Sequence, residues 1–167
     1  MTKYEDFMHE AYNEAVKAKN IGEVPVGAVF VLDGEIIARG HNRSIIDNDT
    51  TAHAEMNALR DAGKFVQNYR LNGVEVYTTL EPCPMCAFAL VMARVKKVVF
   101  AAKDTKFGSF GTVFDFANNQ DGKFNHKIEI ISGVMEKECS DILKTFFLEK
   151  RNKSACHSGQ SEESKQN

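Results

Sequence analysis

The spacing of apolar residues at the start of the chain predicts a helix followed by a β-hairpin. Thr2-Lys3-Tyr4-Glu5 matches a capping box. The apolar positions that follow recur every three or four residues, as on one face of a helix: Tyr4, Phe7, Met8, Ala11 and Ala15. Residues 26–32 are mostly apolar and predict a strand. Asp33-Gly34 is typical of a two-residue turn, so residues 35–39 are expected to return as the partner strand.

Helical and strand patterns alternate through the rest of the chain. Helices are predicted over 52–64 and 83–94 and in a closing segment that includes 140–150, and strands over 74–79, 97–101 and 128–134. Residues 102–127 are rich in Gly and Asn, with at most a short helix around 113–117. A connection of this length permits a crossover, so strands 4 and 5 are expected to be parallel. The order of elements predicts a three-layer α/β/α sandwich around a five-stranded mixed sheet.

Length and composition favour a single domain with a substantial core. The chain has 167 residues with 43% hydrophobic content, and we expect a domain over 1–151 and a disordered polar tail over 152–167. No secretory leader or membrane-spanning run is visible, and the two cysteines outside the metal motif, Cys139 and Cys156, do not indicate a disulfide framework, so a cytoplasmic location is expected. The net charge of −2 does not indicate nucleic-acid binding by itself, so any RNA contact requires a local basic patch.

Two short motifs carry the candidate chemistry. Cys83 and Cys86 are three residues apart, which places both thiols on one side of a helix, and His53 supplies a third ligand of the kind that zinc prefers. Three protein ligands leave the fourth position to water, as in catalytic zinc sites. Glu55 follows the histidine by two residues, and His-x-Glu with Pro-Cys-x-x-Cys is the signature of zinc-dependent nucleobase deaminases.

The spacing of His53 and Glu55 restricts where the metal can lie. Residues i and i+2 point to nearly opposite sides of a helix, so both can face one metal only if it lies off the helix N-terminus. Thr50 and Thr51 are possible N-caps for that helix. Pro82 and Pro84 suit the start of the second helix. We therefore predict a site built from two helix N-termini, whose partial positive charge stabilises thiolates.

Several residues have simpler structural interpretations. A Cys-x-x-Cys pair is often half of a structural zinc site or a redox pair, but the upstream His-x-Glu favours the catalytic interpretation. Phe146 and Phe147 are adjacent on a helix and cannot both face the core equally. His126, taken alone, is most consistent with an ordinary loop histidine. Cys139 lies on the apolar stripe of the closing helix and is expected to be a small core residue.

Over residues 3–151 the chain resembles the bacterial tRNA-specific adenosine deaminases, a branch of the cytidine and deoxycytidylate deaminase superfamily. The resemblance rests on the zinc motifs and on these segments: Glu23-Val24-Pro25-Val26-Gly27-Ala28-Val29, His41-Asn42-Arg43, Asn68-Tyr69-Arg70-Leu71, Asp104 with Lys106 and Gly108, Asn125-His126 and Phe146-Phe147. The superfamily motifs are shared with cytidine, cytosine and guanine deaminases. The C-terminal half is what resembles the tRNA enzymes.

The resemblance implies a function and a set of site residues. It implies a cytidine-deaminase-like fold, one Zn²⁺ per subunit, and hydrolytic deamination of wobble adenosine to inosine with Glu55 as the proton shuttle. It implies that Asn42 holds the base edge or the ribose. The path of the splayed anticodon loop would be lined by Asp104, Lys106, His126 and Phe147. A homodimer that binds the tRNA anticodon stem-loop across the subunit boundary is also implied.

Two other functions remain open at this point. Pro84 gives the sequence Cys-Pro-Met-Cys, the form familiar from guanine deaminases, so deamination of a free base is one alternative. The other is a non-enzymatic, zinc-stabilised RNA-binding module, against which the intact Glu55 argues.

Overall fold

The computed structural model describes residues 2–118 and 122–158. Its elements follow the predicted order, with ends that differ from the predicted ranges by at most two residues, apart from the closing helix, which extends beyond 140–150 at both ends. They are α1 (Lys3–Asn20), β1 (Gly27–Leu32), β2 (Glu35–His41), α2 (Ala54–Val66), β3 (Glu75–Leu80), α3 (Pro84–Met92), β4 (Lys97–Ala102), β5 (Glu129–Ser132) and α4 (Glu136–Ser158).

The five strands form one mixed sheet in the order β2-β1-β3-β4-β5. β1 pairs antiparallel with both β2 and β3, whereas β3, β4 and β5 are parallel. The predicted parallel pairing of strands 4 and 5 is therefore confirmed. The turn between β1 and β2 has φ values of 50° at Asp33 and 84° at Gly34, as expected for the two-residue hairpin.

Helices cover both faces of the sheet, which confirms the three-layer architecture. The alternation of side chains along the strands explains how both faces become apolar. Val29, Tyr77 and Val99 contact the side of α1 and α4, where Cys139 is also buried as predicted. The residues at the alternate strand positions, such as Phe30 and Val98, face α2 and α3 on the other side of the sheet.

The strand registers bring four chain segments to the same end of the sheet. Ala28 near the start of β1 pairs with Thr78 near the end of β3, and Leu80 pairs with Ala102 at the end of β4. His41 at the end of β2 pairs with Gly27. The segments that follow β2, β3 and β4 therefore emerge side by side, and these segments carry the residues predicted for the site. In open α/β sheets, this edge beyond the carboxyl ends of the parallel strands is the usual place for ligands.

A glycine allows β2 to approach the start of α2 closely. A Cβ at Gly40 would overlap the carbonyl oxygen of Ala54, the first residue of α2. Any larger residue at this position would push the helix off the sheet. Gly40 thus sets the distance between the sheet and the helix N-terminus at which the predicted metal ligand His53 lies.

The C-terminal part differs from the prediction at the closing helix. At most a short helix was expected around 113–117, and the described residues there make turns and one isolated bridge between Phe110 and Asp115. The closing helix α4 continues to Ser158, so the boundary predicted after residue 151 falls inside a helix and residues 152–158 are helical rather than disordered. Residues 159–167, the remainder of the predicted tail, lie outside the described residues. Among the described residues, we find no helix with the length and apolar character needed to cross a membrane.

Candidate metal centre and active site

The side chains of His53, Cys83 and Cys86 converge beyond the end of β3. Nδ1 of His53 lies 3.6 Å from Sγ of Cys83 and 3.5 Å from Sγ of Cys86. The three ligand atoms all lie within 4.8 Å of one another. His53 is the N-cap residue of α2 and Cys83 is the N-cap residue of α3, with Pro84 in the first turn. The predicted arrangement of two helix N-termini is therefore confirmed.

The spacing of these donors fits a tetrahedral zinc ion. With Zn–S near 2.3 Å and Zn–N near 2.05 Å, a tetrahedral angle places the nitrogen about 3.6 Å from each sulfur. The observed separations from His53 to Cys83 and Cys86 match this value. One imidazole and two thiols are also the donor types that zinc prefers. The two distances from His53 to the thiols therefore fit a bound zinc ion, and three protein ligands leave one coordination position open.

Mutual hydrogen bonds and burial shift the pKa values of the three ligand residues. The hydrogen bond from the Cys86 thiol, followed by that from His53, lowers the pKa of Cys83. The same contact with Cys83, together with burial, raises the pKa of Cys86. The hydrogen bond to Cys83 raises the pKa of His53. These shifts favour a thiolate at Cys83 and the protonated forms of Cys86 and His53, and zinc binding releases such protons.

Glu55 is the buried acid of the site. It lies in the first turn of α2, only 4% exposed, and Oγ1 of Thr78 donates a hydrogen bond to its Oε1 over 3.2 Å. Burial raises the pKa of the Glu55 carboxyl. A carboxyl group with a raised pKa can both accept and return a proton near neutral pH, which is what a proton shuttle requires.

The cap of α2 comes from a residue that the sequence did not suggest for that role. Thr50 and Thr51 were the predicted N-caps, but the N-cap position is held by His53 and its side chain makes no capping bond. Instead, Oδ1 of Asn42 accepts a hydrogen bond from the backbone N–H of Ala54 at 2.8 Å. Thr51 is used elsewhere, since both its backbone N–H and its hydroxyl donate to Asp49. Asn42, a predicted substrate contact, is thus also tied to the helix that carries Glu55.

Lys106 and Phe147 are brought together although 40 residues separate them in sequence. They line an open cleft of about 540 Å³, together with Lys150, Arg151 and Ser154 of α4. Phe147 is 48% exposed, whereas its neighbour Phe146 is buried, as expected for adjacent residues on one helix. The cleft therefore combines three cationic side chains with one exposed aromatic ring.

Asp104 and His126, the two other predicted substrate residues, have different surroundings. Oδ1 of Asp104 accepts hydrogen bonds from the backbone N–H groups of Lys106 and Phe107, so this carboxylate forms the turn on which Lys106 stands. Nε2 of His126 donates to the carbonyl oxygen of Val95, 2.7 Å away. Val95 precedes β4, at the end of the sheet opposite the metal centre, so within one chain His126 does not join the other predicted residues.

Sequence reasoning assigned no role to two buried carboxylates beside the site. Oε1 of Glu23 accepts hydrogen bonds from the backbone N–H groups of Ile45 and Ile46, each 2.8 Å away, in the loop that follows Asn42. Glu81, between β3 and Cys83, accepts three backbone hydrogen bonds from the loop after β4. A charged residue inside an otherwise apolar segment was the one available signal for both.

Comparison with known proteins places this geometry in a family. Residues 1–102 match the family described as the cytidine and deoxycytidylate deaminase zinc-binding region. The tRNA-specific adenosine deaminase of Bacillus subtilis (strain 168) is 50% identical over 153 residues, which cover 92% of this chain and 94% of that protein. These two matches confirm the resemblance seen in the sequence.

Solved structures of deaminases have the same fold. A structure from a study of A-to-I editing by deaminases at the wobble position of transfer RNA has a TM-score of 0.78 and 41% identity, covering 83% of this chain and 99% of that one. A guanine deaminase from Bacillus subtilis has a TM-score of 0.58 and 46% identity, covering 60% of this chain and 65% of the other. The chain therefore belongs to the cytidine and deoxycytidylate deaminase zinc-binding family and, within it, to the tRNA-specific adenosine deaminases.

Proposed function

We propose that this chain hydrolytically deaminates adenosine to inosine at the wobble position of a tRNA anticodon. The observation that carries the proposal is the convergence of a His/Cys/Cys metal centre with the buried Glu55 at the sheet edge. A zinc centre with these ligands and a neighbouring glutamate is the arrangement that catalyses hydrolytic deamination of nucleobases. The relatives named for tRNA adenosine deamination and the basic cleft lined by Lys106, Lys150 and Arg151 support RNA as the substrate.

The roles of the individual residues follow from their positions. We assign His53, Cys83 and Cys86 as the ligands of one zinc ion, which supplies an activated water when bound. Glu55 accepts the proton of that water and delivers it to the ring nitrogen of the base. Glu55 would then take the remaining proton from the hydroxyl group on the attacked carbon and pass it to the amino group as the C–N bond breaks, so that adenosine and water yield inosine and ammonia. Thr78 keeps the carboxyl group oriented through its hydrogen bond.

Contacts to RNA are proposed for the residues around the centre. The amide NH₂ of Asn42 is the donor for the base edge or the ribose, since its oxygen is bonded to Ala54. Lys106 contacts phosphate, Phe147 stacks with a flanking base, and Asp104 acts by shaping the turn that carries Lys106. A role for His126 stays a prediction that requires a second subunit, because its own chain holds it at the opposite end of the sheet.

The assembly and location are also proposals. We propose a homodimer that binds the anticodon stem-loop across the subunit boundary, in line with the family resemblance. Exposed apolar side chains on and near α3, such as Phe88 and Met92, are consistent with a surface that a second copy covers. A cytoplasmic location follows from the proposed substrate.

Inosine formation in an anticodon stem-loop tests the proposal. Zinc-loaded protein is incubated with a stem-loop that carries adenosine at the wobble position, and the nucleosides are then analysed by mass spectrometry. We expect inosine at that position and none in a matched stem-loop whose wobble adenosine is replaced by guanosine. No inosine from fully zinc-loaded protein would contradict the proposal.

Deamination of free guanine is the second candidate function. The similarity to a guanine deaminase and the Cys-Pro-Met-Cys sequence favour it. The cationic cleft lined by Lys106, Lys150 and Arg151 argues against it, because a neutral free base makes no use of these charges.

A further inference from the structure

The loop over residues 103–112, which follows β4, is folded around the side chain of Glu81. Oε1 of Glu81 accepts hydrogen bonds from the backbone N–H groups of Phe110 at 3.0 Å and Thr112 at 3.2 Å. Oε2 accepts a third, from the backbone N–H of Asp104 at 3.2 Å. Glu81 is 1% exposed. The two oxygens of one buried carboxylate thus accept hydrogen bonds from N–H groups at both ends of the loop. Without these bonds, burying the N–H groups would cost free energy.

Close packing and backbone contacts fix Glu81 relative to this loop. A Cβ at Gly108 would overlap Oε2 of Glu81, so the loop passes directly over the carboxylate. The backbone N–H of Glu81 donates to the carbonyl oxygen of Ala102 at 2.8 Å, which extends the pairing of β3 and β4. The backbone N–H of Ser109 donates to the carbonyl oxygen of Pro82 at 3.0 Å, immediately before the ligand Cys83. The loop and the metal centre are therefore anchored on the same short segment.

The loop presents side chains to solvent beside the metal centre. Asp104, held by Glu81, accepts hydrogen bonds from the backbone N–H groups of Lys106 at 2.8 Å and Phe107 at 3.2 Å. Lys106 lines the basic cleft together with Phe147. Phe107 is 58% exposed. A chain of short contacts thus runs from a carboxylate that is inaccessible to RNA to side chains that are accessible.

We propose that Glu81 is a positioning residue for RNA: its carboxylate holds the 103–112 loop so that Lys106 lines the same cleft as Phe147. This inference rests on the proposed RNA substrate. Glu81 touches neither RNA nor the reacting atoms, and it acts through the backbone of the loop. The affinity for RNA therefore depends on Glu81, whereas the chemical step at the metal centre does not.

Two variants perturb the contact from opposite sides. Glu81→Gln keeps the shape, but its NH₂ group must face at least one backbone N–H, donor against donor. Gly108→Ala keeps the carboxylate and pushes the loop off it. Glu75→Gln is the matched control, since Glu75 is a largely buried carboxylate at the opposite end of β3 that binds Tyr77 and Lys97.

The measurements are kcat and KM for the anticodon stem-loop, zinc content, and amide hydrogen exchange over residues 103–112. We expect Glu81→Gln and Gly108→Ala each to raise KM about tenfold, the scale of one lost buried hydrogen bond, with kcat and zinc content nearly unchanged. Exchange in the loop should accelerate in both. The double variant should raise KM no further than the single variant that has the larger effect, because both changes break the same contact. Glu75→Gln should leave KM unchanged.

Two results would overturn the inference. One is an unchanged KM despite faster exchange in the loop; the other is a loss of zinc together with kcat, which would mean that Glu81 supports the metal centre. If Glu81→Gln does not fold, Gly108→Ala provides the same comparison. Wild-type protein that holds zinc but does not turn over the stem-loop would refute the proposed function instead, and hydrogen exchange would still decide whether Glu81 holds the loop.

Discussion

Oδ1 of Asn42 accepts the backbone N–H of Ala54 at 2.8 Å, and this bond joins the end of β2 to the first residue of the helix that carries Glu55. The bond replaces a conventional N-cap, since the side chain of His53 at that position faces the two thiols. Asn42 thus has two separable groups. Its oxygen caps the helix, and its NH₂ is the group proposed to contact the substrate.

Substitutions at Asn42 separate these two roles. Asn42→Asp keeps an acceptor for Ala54 and adds a negative charge at a helix N-terminus, so thermal stability should be preserved. Asn42→Ala removes the acceptor and should cost about 1 kcal/mol, which lowers the melting temperature by about 2–4 °C. Both variants lose the NH₂ and should lose deaminase activity. Full activity in Asn42→Asp would mean that the NH₂ does not contact the substrate.

Zinc content distinguishes Cys86 from Cys139. Wild-type protein should hold one zinc per chain, and Cys86→Ala should lose both zinc and activity, because two ligands rarely hold zinc in an open site. Cys139→Ala is the matched control: this cysteine is buried between α4 and the sheet, so its loss should lower stability and leave zinc in place. Stoichiometric zinc in Cys86→Ala, measured by elemental analysis, would refute the ligand assignment.

Zinc affinity should depend on pH in a defined direction. The pKa of Cys86 is raised by its contact with Cys83 and by burial, and the pKa of His53 is raised by its hydrogen bond to Cys83. Because zinc displaces the protons that these groups hold, affinity should fall as the pH is lowered from about 8 to about 6. Competition with a chromophoric chelator across this range measures the trend. A pH-independent affinity would contradict the raised pKa values of Cys86 and His53.

The elements of the fold and the metal ligands could be predicted from the sequence because both are local patterns. Apolar spacing located every helix and strand, and the positions of His53, Cys83 and Cys86 relative to the helix starts defined the metal centre. Periodicity carries no information about which remote side chain satisfies a backbone N–H. The cap from Asn42 and the contacts of Glu81 with the loop after β4 were therefore missed. The same limit applies to His126, whose partner Val95 lies 31 residues away in sequence.

Glu55→Gln should separate binding from catalysis. The amide oxygen of glutamine can still accept the hydrogen bond from Thr78, so the site should keep its shape, its zinc and its affinity for RNA. Turnover should fall by at least ~10²-fold, the usual contribution of a general acid–base group. Turnover close to that of the wild type, in protein with full zinc content, would show that another group moves the proton.

Lys106→Ala should weaken RNA turnover and reduce its salt dependence. One lost phosphate contact should lower the slope of log kcat/KM against log salt concentration by about 0.7–0.9. Lys64→Ala is the control, since Lys64 is an exposed lysine in the last turn of α2, at the end of that helix away from the metal centre. Equal effects of the two substitutions would mean that the cleft is not a specific RNA contact.

Parallel turnover of an anticodon stem-loop and of free guanine by the same zinc-loaded protein tests the proposed function most directly. If much of the transition-state stabilisation comes from contacts with flanking nucleotides, free bases should be poor substrates. We expect inosine at the wobble position of the stem-loop, at a rate that falls as salt rises, and little conversion of guanine. Efficient, salt-insensitive deamination of guanine with no inosine in the RNA would contradict the account.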